Sequence, residues 1–186
     1  EGDDHEEEEP TLFSNDAVEY GAIFDLASES LIQKLVLNFV EEDVSIIGEE
    51  AFMNPVDSKE QSIGYYLSNE LDFFHLDFGI RHNRVSREGS VTHEEESDVD
   101  FFNRDFNDTS FALNLGRELS DFLGVNLGLA SVQRAPSAVE LFMHGEHLAT
   151  GRFEIGDPNL ESETSNNIDL TLNYESDGLF AVATLF

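Results

Sequence analysis

The chain has 186 residues, enough for one domain, with nine basic residues against forty acidic ones and a formal charge of −31. That balance argues against nucleic acid or anionic headgroups as direct partners, because both would be repelled, and it favours cations. The absence of cysteine removes disulfides and thiolate metal sites, and no apolar run approaches the roughly 18 residues of a spanning helix, although transmembrane strands escape that criterion.

The first ten residues, EGDDHEEEEP, have neither the basic nor the apolar region of a signal peptide, and residues 1–15 read as the acidic tail of a long loop. From Asp16 the dominant signal is alternation of apolar and polar residues, the period of a strand with two different faces. Asp16–Leu26 sets Val18, Tyr20, Ala22, Phe24 and Leu26 against Glu19, Gly21 and Asp25. Leu31–Val40 sets Leu31, Leu35, Leu37 and Phe39 against Lys34 and Asn38. Ser62–Ser68 alternates Ile63, Tyr65 and Leu67 with Ser62, Gly64 and Ser68. In Phe73–Arg81, Phe74, Leu76, Phe78 and Ile80 oppose His75, Asp77, Gly79 and Arg81. Thr109–Gly116 and Leu123–Val132 follow the same rule, and in Leu123–Val132 the polar side is largely Gly124, Asn126, Gly128 and Ala130. Asn167–Tyr174 repeats it, and Gly178–Phe186 is an eighth, more uniformly apolar segment.

The connections alternate between short and long. Short polar turns fall at Ala27–Ser30, Asn69–Asp72, Glu118–Asp121 and Glu175–Asp177. Long acidic loops fall at roughly 41–60, 84–107 and 133–166. A soluble sandwich has no reason to place all short turns at one end, whereas an outer-membrane barrel does. One face is almost purely Leu, Ile, Val, Phe and Tyr, as lipid requires. The other carries Asp, Asn, Lys, His, Arg and Gly, which a dry core could not bury without a cost of several kcal/mol per unpaired charge, roughly. The competing reading is an antiparallel sheet with one wet face, which would make the chain a soluble, acidic, calcium-dependent binding module.

Three loops combine histidine with carboxylates: Asp4 and His5 with the acids around them, His93 with Glu94 and its neighbours, and His144-Gly145-Glu146-His147. Imidazole and carboxylate together suit zinc and related first-row ions. His75 and His82, on or just beyond a strand, read as lumenal or rim residues, and His75, Asp77 and Arg81 are the expected lumen-facing polar set. Catalytic constellations are weak: no nucleophile elbow and no phosphate-binding glycine loop is present, so no enzyme is expected and no catalytic residue is assigned.

At Ser131–Asn167 the residues resemble the barrel domain of TonB-dependent outer-membrane receptors. The likeness rests on Arg134, Pro136, Ser137, Glu140 and Phe142, then on Gly156, Asp157 and Asn159 leading into an alternating strand. Gly48-Glu49-Glu50-Ala51-Phe52 with Pro55 is similar to a loop of the zinc-uptake branch, as are the acidic histidine-bearing loops. The resemblance implies an all-β fold, an antiparallel transmembrane β-barrel of which this chain supplies about eight strands out of about 22. Residues 1–186 are then part of the barrel domain, with the plug domain and TonB box lying outside them. A small complete eight-stranded barrel is the competing architecture. The implied function is uptake of a scarce metal, with zinc as cargo and no cofactor required, and with the TonB complex, a metal ion or chelate, and outer-membrane lipid as partners. The metal-capture candidates are His144, His147, His93, His5, Glu146, Glu94 and Asp4. A siderophore or haem receptor is the rival, in which His147 would contact haem iron.

Overall fold

A computed structural model describes residues 11–28, 30–48, 51–93, 98–147 and 151–186, with the side chains of 93, 98, 146 and 147 outside the description. Eight strands form one antiparallel sheet: β1 (Leu12–Ala27), β2 (Leu31–Ile47), β3 (Val56–Glu70), β4 (His75–His93), β5 (Asp98–Ser120), β6 (Leu123–Arg134), β9 (Glu163–Ser176) and β10 (Leu179–Leu185), in the order β1-β2-β3-β4-β5-β6-β9-β10. Between β6 and β9 lie a short helix, α1 (Ala138–Phe142), and a two-stranded hairpin, β7 (His144–His147) with β8 (Arg152–Ile155). From β1 to β6 each strand pairs with the next in sequence, and the cap insertion then separates β6 from β9 without interrupting their pairing.

The eight expected strands are all present. The connections at one end are short, and the β9–β10 turn places Asp177 and Gly178 at φ 46° and 84°, the left-handed pair that a two-residue hairpin requires. At the other end the strands are much longer than the alternation predicts. Most of the expected loops at 41–60 and 84–107 are strand, so that β4 has 19 residues and β5 has 23. The reason is visible in the register. Above the apolar stretch the outer face becomes polar and the inner face mixes Val56, Val85, Val91 and Phe106 with polar residues, so the earlier alternation disappears from the sequence. Backbone pairing nevertheless continues without a slip from His75↔Gly116 to His93↔Asp98. Likewise β1 begins at Leu12, inside the stretch read as acidic tail.

Because directly opposed residues share a face, the register defines two surfaces. One surface carries rows such as Leu35–Tyr65–Ile80–Phe111 and Leu76–Leu115–Leu127–Leu170–Leu185, spanning the sheet as a continuous apolar band. Its large side chains are exposed: Tyr20 at 66%, Ile168 at 67%. The opposite surface carries Lys34, Asn38, Ser62, His75, Asp77, Arg81, Asn83, Asn114 and Asp169, with Gly64, Gly79, Gly116 and Gly128 among them. Its far end is covered by the segment after β6. This covered surface is the inner one, and His75, Asp77 and Arg81 lie on it.

The buried core is small and belongs to that covering. Val56, Val85, Val91 and Phe106 on the inner face of the sheet meet Leu141 and Phe142 of α1, both 0% exposed. Ile46, Met53 and Ala135 complete it, with Phe102 stacked at 6.2 Å from the Phe142 ring. Burial of a Leu or Phe at this level stabilises by about 1.5–3 kcal/mol each. The core therefore sits at the long-strand end and not in the middle of the wall.

Candidate functional site: the capped end of the inner face

The residues singled out by the motif hold one another. Ser137 is the N-cap of α1: its hydroxyl accepts from the Glu140 amide at 3.3 Å, and its own amide and hydroxyl donate to Glu140 Oε2 at 2.7 and 2.8 Å. This reciprocal arrangement satisfies donors that so short a helix would otherwise leave open. Arg134, the last residue of β6, donates to both Glu140 oxygens at 2.9 and 3.0 Å and to Glu163 across the β6–β9 pair at 2.7 Å. The Arg134 guanidinium, followed by the Ser137 amide and hydroxyl, lowers the Glu140 carboxyl to about 2. The same two carboxylates hold the Arg134 proton more firmly.

Pro136 offers its carbonyl to Arg87 Nε at 2.8 Å, while Arg87 Nη1 donates to Ser58 at 2.8 Å and Nη2 approaches Glu60 at 3.3 Å. Arg87 is only 8% exposed, so one side chain ties β3, β4 and the cap together. On the return path the Gly156 amide donates to the Met143 carbonyl at 2.6 Å and the Asp157 amide to the Glu140 carbonyl at 2.9 Å. The Asp157 side chain then accepts from the Asn159 amide at 2.8 Å, closing the Gly-Asp-Pro turn. Two glycines permit close approach. A Cβ at Gly89 would stand 2.7 Å from the Phe142 ring, and one at Gly156 would stand 2.8 Å from the Glu140 carbonyl oxygen and the Leu141 backbone carbon.

The histidines are distributed differently from the motif. His144 is half-buried, its amide donates to the Phe52 carbonyl at 2.8 Å, and its ring meets the Phe153 ring edge-on at 5.4 Å. It borders a cavity of about 270 Å³ together with Phe52, Met53, Asn54, Thr92 and Phe142. Position 147 is three residues on in the same strand, opposite Arg152, while 146 is opposite Phe153. The strand backbone ends at His93 opposite Asp98. Asp4, His5 and Glu94 lie outside the described residues. Among the described residues, no three of His, Asp and Glu converge as a metal-binding group.

Arg81 donates to Asn83 at 2.6 Å along the inner face, and His82, on the outer face, contacts Thr109 at 2.9 Å. His75 lies between Glu70 and Asp77 near the short turns. Sequence reading missed Arg87, whose partners are 29 and 49 residues away. It also missed Asp108, an inner-face carboxylate that is 2% exposed and has no hydrogen-bond partner for either oxygen among the described residues. A burial-free alternation pattern carries no signal for either residue.

An apolar band on one face, polar residues and glycines on the other, short turns at one end and a cap at the other define the wall of a transmembrane β-barrel. The family model for TonB dependent receptor-like β-barrels matches residues 27–186, and the chain belongs to that family. Among solved structures, it is similar to the copper transporter OprC, with a TM-score of 0.76, 14% identity, and 94% of this chain on 30% of that one. It is also similar to the Serratia marcescens hemophore receptor HasR, solved as a double mutant with its hemophore HasA and heme, with a TM-score of 0.68, 15% identity, and 91% of this chain on 30% of that one. The chain thus spans about a third of the length of these structures, and the likeness at this identity is one of fold.

Proposed function

We propose that this chain is part of the barrel of an outer-membrane receptor that takes up a scarce transition metal and draws energy from a TonB complex through a plug domain outside these residues. The observation that carries this reading is the assembly of Arg134, Pro136, Ser137, Glu140, Phe142, Gly156 and Asp157 into a cap over one end of a polar inner face. Such a cap fixes the loops that meet a ligand, and it leaves the rest of the inner wall open to solvent. A formal charge of −31 adds a field that concentrates cations at the mouth.

Zinc is the cargo that the histidine- and acid-bearing loops favour, with His144, His147, His93, His5, Glu146, Glu94 and Asp4 as the candidate donors. The names of the two similar structures supply the alternatives, copper and haem. The test is growth of a strain lacking the intact receptor on chelated zinc, chelated copper and haem as sole sources. Restoration by the parent gene on chelated zinc, with loss in a His144→Ala/His147→Ala double variant, supports the zinc reading. Restoration on haem alone would replace it with haem uptake.

A further inference from the structure

The inner face holds a second group of donors, far from the cap. His75 opens β4 beside the β3–β4 turn, and both of its ring nitrogens face carboxylates: Nδ1 is 2.6 Å from Glu70 Oε1 and Nε2 is 2.8 Å from Asp77 Oδ2. The other Asp77 oxygen accepts from the Tyr66 hydroxyl at 2.8 Å, and the Asn114 amide lies 3.4 Å from Oδ2. Glu70, Tyr66 and Asn114 come from β3 and β5, so both flanking strands of β4 contribute. The ring is about a third exposed, at 34%, and Asp77 is similarly open at 27%. His75 and Glu70 border a cavity of about 460 Å³ with Gly116, Glu118 and Asn126.

Viewed as metal chemistry, this is a ligand pair with its outer partners already in place. A metal-bound imidazole donates its remote N–H to a carboxylate, and a metal-bound carboxylate has its second oxygen hydrogen-bonded. Glu70 does the first here and Tyr66 the second. Nε2 and Oδ2 are left facing one another at 2.8 Å. Bonds of about 2.0–2.1 Å to one ion place adjacent donors about 2.9–3.4 Å apart. To hold one ion, the observed 2.8 Å has to open by a few tenths of an ångström and the imidazole has to turn so that Nε2 and Oδ2 converge on the ion instead of on each other.

We propose that His75 Nε2 and Asp77 Oδ2 form a lumenal site for a first-row divalent cation of the zinc or copper type, a step on the way from the cap to the short-turn end. On binding, a proton held on Nε2 passes to solvent, the ion bonds to Nε2 and Oδ2, and water from the adjoining cavity fills its other positions. Two protein donors make a weak site, as conduction requires, since an ion must enter and also leave. Nitrogen with oxygen selects zinc or copper over calcium or magnesium, which take oxygen donors alone. This inference deepens the metal-uptake reading and, as a transport step, rests on it.

The intact receptor, titrated with Cu²⁺ alone and followed by electron paramagnetic resonance, tests the site. Parent protein should show one more equivalent of bound Cu²⁺ than His75→Gln or Asp77→Asn, and the lost equivalent should carry coupling to a single nitrogen. Glu70→Gln, which keeps both ligands, should bind that equivalent about 10-fold more weakly. Equal stoichiometry and equal spectra in parent, His75→Gln and Asp77→Asn would overturn the site, provided all three are extracted from membranes as folded, heat-modifiable barrels. Uptake of labelled zinc in cells separates the two levels. A drop in rate with unchanged surface binding in His75→Gln supports the step, and an unchanged rate overturns it. A parent that takes up neither zinc nor copper refutes the uptake reading, while the resonance measurement still decides the site.

Discussion

The wall and the cap of this chain are held by different physics. In the wall, the β1–β6 and β9–β10 strands pair through backbone ladders, and their outer apolar side chains touch little beyond their neighbours on the same face, as Tyr20 does Phe39. Ile168, Phe24 and Leu26 are all more than half exposed, so that face depends on an apolar surrounding. In the cap, backbone pairing is minor and side chains dominate: Arg87 and Arg134 each hold three oxygens, and Leu141 and Phe142 are fully enclosed. The wall tolerates changes that keep apolar-out and polar-in. The cap depends on particular atoms.

That contrast can be broken from either side. The largest effect is expected for Phe142→Ala, which empties the centre of the only sizeable core among the described residues and should cost about 3–5 kcal/mol locally. Hydrogen exchange in the intact receptor would register it as lost protection across 135–143 with β6 and β9 unchanged. Next comes Leu129→Arg, in the row Leu113–Leu129–Ile168 of the apolar band. A charge on the lipid face near the midplane should cost about 2–4 kcal/mol. It should lower the temperature of heat-modifiable unfolding and leave the cap's exchange pattern intact.

The smallest effect concerns acid. Glu140 is held at about 2 against an ordinary 4.5, chiefly by Arg134 and then by Ser137. A depressed carboxyl contributes stability that is fully present above its unfolded value and is lost as pH falls through its folded one. Cap protection should therefore be level from neutral pH to about 4.5 and decline between there and about 2. In Glu140→Gln the decline in that window should be absent. The carboxylate is partly exposed, so solvent screening keeps the change modest.

The same contrast governs what the sequence discloses. The wall is legible because one physical variable, side-chain polarity, repeats every two residues in strands such as Phe74–Arg81. Above the band the signal fails: RVSREGSVTH, residues 84–93, is polar on one side and on the other mixes Val85 and Val91 with Arg87, and it reads as loop, yet it pairs residue for residue with β5. The cap residues are conspicuous as a motif, but their work is not. Arg87 and Pro136 are 49 residues apart, and nothing local to Gly89 announces the Phe142 ring against it. For the histidines, spacing says nothing of the surroundings: His144 stands in a short hairpin strand with its ring edge-on to Phe153.

The most direct test of the wall is a spin-label scan along β6, residues 123–134, in the intact receptor in lipid. Oxygen collisions should peak at 123, 125, 127 and 129 and fall at 124, 126, 128 and 130, out of phase with a polar relaxation agent. A flat profile, or oxygen maxima at the even positions, would contradict a barrel wall with Leu123, Val125, Leu127 and Leu129 facing lipid.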